Sequence, residues 1–104
     1  MLIIIGRAEA DAADVAALQD ALSQLMAATR AEPGCISYSL AVEDPGDAGR
    51  PAVVSITERW ADEAALRSHF GQPHMAAFNK VAAGKLRNLD VKLYAGAEEV
   101  PFPR

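Results

Sequence analysis

Residues that could do chemistry are concentrated between Glu58 and Phe78. This stretch contains the only Trp and both histidines of the chain, together with two of its three Phe. Trp60 and Phe78 could form the walls of an aromatic pocket. An imidazole titrates near neutral pH, so His69 or His74 could transfer a proton in a reaction. The stretch therefore indicates either a ligand pocket or a packed core.

The spacing of the two histidines argues against a metal site. His69 and His74 are five residues apart with Gly71 and Pro73 between them, whereas two ligands on one helical turn are three or four apart. We predict no metal and no cofactor. His74 shares a helical face with Phe78 that should point at the sheet, so His74 is the best candidate for a catalytic base. The structural alternative is that His69 closes the helix break and His74 caps the following helix.

Glu58 lies on the same strand face as Trp60, because strand side chains alternate. A carboxylate facing the interior is costly unless it is paired. It could orient a histidine, or form a structural ion pair with Arg7 or Arg59. Arg7 could also neutralise an oxyanion if its face lines the pocket. Tyr38, in the middle of a predicted strand, is a further candidate for binding a substrate.

Composition and charge restrict the function classes. The chain has 104 residues, is 51% apolar and 23% charged, and has a net charge of −4 with a pI of about 5.0. These values indicate one folded domain and argue against a nucleic-acid partner or an acidic membrane surface. The early apolar run from Leu2 to Ile5 is too short for a signal peptide or a membrane span. Cys35 is the only cysteine, which favours a reducing, cytoplasmic environment.

Hydrophobic periodicity gives the order of the elements. Strands are predicted over 2–9, 35–43, 51–60 and 89–94, with helices over 11–31 and 62–70 and a second helical piece from 73 to about 86. Asp11 and Asp62 are the predicted helix caps. The second strand should place four apolar side chains on one face: Ile36, Tyr38, Leu40 and Val42.

The order strand, helix, strand, strand, helix, strand predicts an α+β fold. It is the ferredoxin-like split βαβ arrangement, with a four-stranded antiparallel sheet and helices on one face. The sheet face without helices would expose apolar side chains to water. Packing that face against a second copy of the chain would bury their apolar area, which is favourable. We therefore predict a homodimer formed through the sheet face. Residues 1–96 form the single predicted domain, and residues 97–104 form a C-terminal tail.

Four motifs resemble those of the antibiotic biosynthesis monooxygenase domain, over Leu2 to Tyr94. They are Pro33-Gly34-Cys35-x-x-Tyr38, Glu58-x-Trp60, Leu66-x-x-His69 and Pro73-His74-Met75-x-x-Phe78. The resemblance implies a dimeric α+β barrel. Relatives with this domain differ in activity, so the resemblance leaves several functions open. They include cofactor-independent oxygenases of phenolic or quinol-like aromatics, haem-binding and haem-degrading proteins, isomerases, enzymes of autoinducer degradation, and members without assigned chemistry.

Only some of the family's site residues are present at the matching positions of this chain. Trp60, His69 and His74 match the family's Trp and its two following histidines. The haem degraders have an Asn on the first strand where this chain has Gly6 or Arg7. The anthrone oxygenases have an Asn before the Trp where this chain has Ile56.

These observations together predict a cofactor-independent monooxygenase that oxidises a small hydroxyaromatic, quinol or anthrone-type substrate with O2 to a quinone. The alternatives are a non-catalytic or haem-binding module of the same fold, and a dimeric structural domain. The predicted catalytic residues are His74, Trp60 and His69. The predicted substrate-binding residues are Tyr38, Phe78, Glu58, Arg7, Ile56 and Leu66.

Overall fold

Four antiparallel strands and three helices make up the fold in a computed structural model that describes residues 1–104. The strands are β1 (Leu2–Ala10), β2 (Cys35–Asp44), β3 (Ala52–Trp60) and β4 (Arg87–Tyr94), and the helices are α1 (Val15–Thr29), α2 (Glu63–Phe70) and α3 (Pro73–Ala82). The strand order is β2-β3-β1-β4. The predicted α+β, ferredoxin-like fold is therefore confirmed, whereas the dimeric barrel stays a prediction.

The central strands β3 and β1 bring the polar residues of the sheet next to its aromatic ones. Glu58 pairs with Ile4 on one side and with Tyr38 on the other. Trp60 pairs with Leu2 and Cys35. Paired residues of an antiparallel sheet share a face, so Tyr38, Glu58 and Trp60 all face the helices, as the alternation predicted.

Helix α1 covers this face with a stripe at helical spacing. Its residues Leu18, Leu22 and Leu25 are buried, and Leu22 and Leu25 share one core cluster with Trp60 and with Leu66 of α2. The steps of three and four residues put these side chains on one side of the helix. No helix of the molecule combines the length and the apolarity that crossing a bilayer requires.

The caps at the helix starts differ from each other. Asp62 caps α2 as predicted, since its side chain accepts a hydrogen bond of 2.8 Å from the Ala65 backbone N–H. Asp11 makes no side-chain cap and precedes a short 3-10 turn instead. Its carboxylate lies 2.9 Å from Arg87, so an ion pair to β4 replaces the predicted cap.

Two local features depart from the sequence pattern. A β-bulge between Cys35 and Ser37 puts Cys35 opposite Trp60 and leaves Ile36 exposed, because the extra residue shifts the alternation by one. On β4, the apolar side chains of Leu89, Val91 and Leu93 alternate with polar ones but are all exposed. No helix covers this edge strand within one copy of the chain.

Gly34 holds the turn that leads from α1 into β2. Its φ is +84°, which residues with a Cβ adopt only with strain. A Cβ added at this position would lie 2.5 Å from the Ala65 Cβ of α2. The Gly34 carbonyl also accepts a hydrogen bond of 2.8 Å from the Ala61 backbone N–H. The turn therefore packs directly against the start of α2.

We predict that Gly34→Ala lowers the free energy of unfolding more than Gly84→Ala does. Both glycines have positive φ, but nothing lies within 4 Å of a Cβ added at Gly84. Backbone strain costs about 1–2 kcal/mol in both variants, and the clash adds roughly 1–3 kcal/mol at Gly34 only. Urea denaturation measures the difference. Equal losses would show that α2 moves away from the turn at little cost.

Candidate functional site

A cavity of about 360 Å³ lies between the sheet and α3. Of its 16 lining residues 13 are hydrophobic, so the cavity suits an apolar ligand that a few polar groups orient. Besides Tyr38, the hydrophobic lining residues of the sheet and α1 are Ala8, Leu22, Leu25, Leu40, Val54, Ile56 and Leu89; those of α3 and the segment after it are Met75, Phe78, Ala82, Ala83 and Leu86, and Gly84 lines the same end.

Three polar side chains reach the cavity. Glu58 and Tyr38 come from neighbouring strands of the sheet, and Asn79 comes from α3. Glu58 and Tyr38 are buried, at 8% and 4% exposure. Asn79 lines the cavity and is exposed to solvent. The polar groups therefore sit on the adjacent strands β3 and β2 at one end and at the solvent side at the other.

The Glu58 carboxylate has one side-chain hydrogen-bond donor in the molecule. The Trp60 indole N–H donates to its Oε1 at 2.9 Å. Burial raises the pKa of Glu58 above its ordinary value, and the bond from Trp60 and the charge of His69 oppose that rise. Arg7 and Arg59 do not pair with Glu58, because both lie on the opposite face of the sheet. Arg59 instead donates to Ser37 at 2.8 Å.

Tyr38 retains its proton at all ordinary pH values. Burial raises the pKa of its phenol far above the usual range, and the charges of Glu58 and Glu32 add to the rise. A neutral phenol is a hydrogen-bond donor. The cavity thus combines a carboxylate that can accept a proton with a hydroxyl that can donate a hydrogen bond.

An aromatic cluster stands behind this wall of the cavity. The ring centroid of His69 lies 4.8 Å from Trp60 and 5.2 Å from Tyr38. His69 is 1% exposed. The rings fix the orientation of Trp60, whose indole N–H in turn fixes Glu58.

Glu32 joins both histidines on the far side of the cluster. Its Oε2 lies 2.7 Å from His69 Nδ1 and 2.7 Å from His74 Nε2. Glu32 comes from the turn after α1, His69 from the end of α2, and His74 from the start of α3. One carboxylate oxygen therefore ties three segments together.

The structure divides the predicted site residues into two groups. Tyr38, Glu58, Ile56 and Phe78 line the cavity. The others do not line it: Trp60 and Leu66 lie in the core, His69 behind Trp60, His74 in a groove between α1 and α3, and Arg7 on the opposite sheet face. The face of α3 that carries His74 points at α1, because Val81 lines the same groove.

Sequence reasoning missed Glu32 and most of the α3 wall. Glu32 directly precedes Pro33-Gly34, at the carboxyl end of a helix where a negative charge opposes the helix dipole. An acidic residue in that unfavourable place was the one available signal that it has a tertiary partner. Met75, Leu86 and Leu89 carried no such signal, since apolar residues with that spacing are as common in a core.

Comparisons with known proteins identify relatives of the whole domain. The family profile "Antibiotic biosynthesis monooxygenase" matches residues 1–81. A solved structure from Deinococcus radiodurans, provisionally assigned as an antibiotic biosynthesis monooxygenase, is 26% identical with a TM-score of 0.81, and the match covers 100% of both chains.

Two further solved structures have names that state no activity. A Mycobacterium tuberculosis protein is 28% identical over 96% of this chain and 98% of its own, with a TM-score of 0.77. A Pseudomonas aeruginosa protein is 29% identical over 89% and 90%, with a TM-score of 0.74. No curated protein matches the chain.

We predict that Glu58→Gln stabilises the protein at pH 8 and not at pH 4. A carboxyl whose pKa is raised by folding favours the folded state when protonated, so its contribution is complete at low pH and is lost as pH rises through the folded pKa. The amide of the variant would keep an acceptor for Trp60 without a charge. Urea denaturation at several pH values measures the effect.

The matched control for this experiment is Glu43→Gln. Glu43 is an exposed carboxylate on β2, so its replacement removes the same charge without relieving burial. A gain in stability from Glu58→Gln that does not change with pH would contradict the assignment.

Proposed function

Because this chain belongs to the antibiotic biosynthesis monooxygenase family, we propose that it oxidises a small hydroxyaromatic, quinol or anthrone-type substrate with O2 to a quinone. The observation that carries the proposal is the apolar cavity with Glu58 and Tyr38 in its wall. Its volume of about 360 Å³ is near the lower end of ligand sites, which suits a ligand of a few fused rings.

Glu58 is the proposed base. A carboxylate whose pKa is raised by burial binds a proton more tightly than an ordinary one, so it takes a weakly acidic substrate proton more readily. The sequence had favoured His74 for this step. His74 does not line the cavity and its Nε2 is engaged with Glu32, so the proton-accepting role passes to Glu58.

Tyr38 is the proposed hydrogen-bond donor to the substrate anion. Loss of a proton to Glu58 leaves negative charge on the substrate oxygen, and a fixed donor in an apolar cavity stabilises that charge strongly. Phe78 and Ile56 hold the ring plane. Trp60 and His69 support the base from behind by orienting it.

The reaction balances without a bound redox group. The deprotonated substrate transfers one electron to O2, and the resulting radical pair joins to form a C–O bond. The peroxide takes back the proton from Glu58, and loss of water leaves the carbonyl of the quinone. One substrate and one O2 thus give one quinone and one water. The protein contributes deprotonation, orientation and exclusion of water.

The haem-binding alternative receives less support from the same geometry. Neither histidine lines the cavity, so no imidazole there could serve as an axial ligand. The non-catalytic binding module has the same cavity, and turnover separates it from the enzyme.

We predict saturable O2 uptake above autoxidation with quinols or anthrones on chelator-treated protein. Glu58→Gln should lower kcat by about 10²–10⁴.

Uptake should fall as pH drops through the Glu58 pKa, since the base must be ionised. Trp60→Phe removes the hydrogen bond that lowers this pKa, so the acidic limb should move to higher pH. An oxygen electrode measures all four effects.

Glu43→Gln should oxidise substrate like the parent. If Glu58→Gln also does so, Glu58 is not the base. If no substrate of a broad panel gives uptake while apolar aromatics still bind, the protein is a binding module.

A homodimer and a cytoplasmic location complete the proposal. The lone Cys35 supports a reducing compartment. The helix-free face of the sheet carries Ile3, Val53 and the 52%-exposed Ile5. Apolar side chains on an uncovered sheet face support packing against a second copy.

We predict that the parent sediments as a dimer and that Ile5→Lys sediments as a monomer. The added charge lies beside Lys92, its pairing partner on β4, and would be buried with it in the interface. Ala16→Lys, at an exposed position of α1, should remain dimeric. A monomeric parent, or a dimeric Ile5→Lys variant, would exclude this interface.

A further inference from the structure

We propose that Glu32, His69 and His74 form a binding site for a divalent transition-metal ion, with Zn²⁺ as the best match. None of the three residues lines the cavity assigned to the substrate. The site is therefore separate from the proposed oxidation, and the proposed monooxygenase function does not depend on it.

Two imidazole nitrogens and one carboxylate oxygen, which are common zinc ligands, lie close together. His69 Nδ1 and His74 Nε2 each lie 2.7 Å from the same oxygen of Glu32. The three ligand atoms all lie within 4.8 Å of one another. Donors at 2.0–2.1 Å from a tetrahedral zinc ion are about 3.4 Å apart, so side-chain rotations that close the widest pair by at most about 1.4 Å complete the set.

Charge makes the shared point attractive to a cation. The Glu32 side chain is 7% exposed, and its ion-pair partners are the two imidazoles, which carry charge only when protonated. No Lys or Arg reaches it, and a buried carboxylate without a fixed counter-ion is unfavourable. One divalent ion would replace both bridging protons and neutralise the carboxylate.

The break between α2 and α3 allows both imidazoles to point at the same Glu32 oxygen. His69 is in the last turn of α2, and the 22%-exposed side chain of His74 is in the first turn of α3. A continuous helix would send residues five apart in different directions. The bend at Gly71–Gln72 instead aims Nδ1 of one ring and Nε2 of the other at the same oxygen.

Ion access comes from the groove between α1 and α3. This groove, of about 320 Å³, is lined by His74, Asp20 and Gln24 among others. Two imidazoles and one carboxylate leave at least one coordination position for water from that side. This donor set suits zinc and neighbouring first-row ions rather than Mg²⁺ or Ca²⁺.

The test is a Co²⁺ titration of chelator-treated, dialysed protein, followed by Zn²⁺ competition. We expect Co²⁺ absorption bands that saturate at one ion per chain and disappear when Zn²⁺ is added. Glu32→Gln and His74→Ala should each weaken binding at least tenfold. Asp20→Asn, which removes a carboxylate from the same groove without removing a donor, should bind like the parent.

Circular dichroism of each variant checks that it is folded, and two variants at separate positions keep the test valid if one unfolds. The proposal fails if the parent binds no Co²⁺ or Zn²⁺ up to millimolar concentration, because the oxygen is then bridged by protons alone. It also fails if the folded variants bind as tightly as the parent. Neither result bears on O2 uptake, which is measured on metal-free protein.

Discussion

A carboxylate that lies in an apolar layer must find a hydrogen-bond donor there, and in this molecule the Trp60 indole supplies it to Glu58. The bond joins neighbouring positions of one strand face, so the strand that carries the carboxylate also carries its donor. Because Trp60 is fully buried, neither side chain can turn to water. The polar end of the cavity is therefore as fixed as the core around it.

The aromatic cluster extends this constraint to the helices. His69 contacts Trp60 and Tyr38 through its ring and contacts Glu32 through Nδ1. The ring of His69 therefore packs against the apolar rear of the cavity wall, whereas its Nδ1 faces a buried carboxylate. A single side chain thus couples the orientation of the sheet residues to the break between α2 and α3. The cavity and the Glu32 cluster are different sites with one shared wall.

The sequence predicted what depends on periodicity and missed what depends on tertiary packing. Alternation alone put Glu58 and Trp60 on one face, and the position of Gly71 and Pro73 predicted the helix break. The direction of His74 could not be predicted, because it follows from how α3 packs on α1. Ile36 was predicted to share a face with Tyr38 but is exposed, since a bulge leaves no mark in the alternation. Glu32 lies 37 residues from His69, beyond the reach of any local pattern.

The two ends of the cavity are formed by different secondary-structure elements. The end with Glu58 and Tyr38 belongs to the adjacent strands β3 and β2, where both side chains are buried and substitutions disturb the core. The other end is formed by Ala82, Ala83 and Gly84, at the carboxyl end of α3, where a larger side chain at the exposed Ala83 would reduce the cavity without displacing a strand. A change of side chain at this helix end would therefore alter the length of ligand that the cavity admits, while the end with Glu58 and Tyr38 stays unchanged.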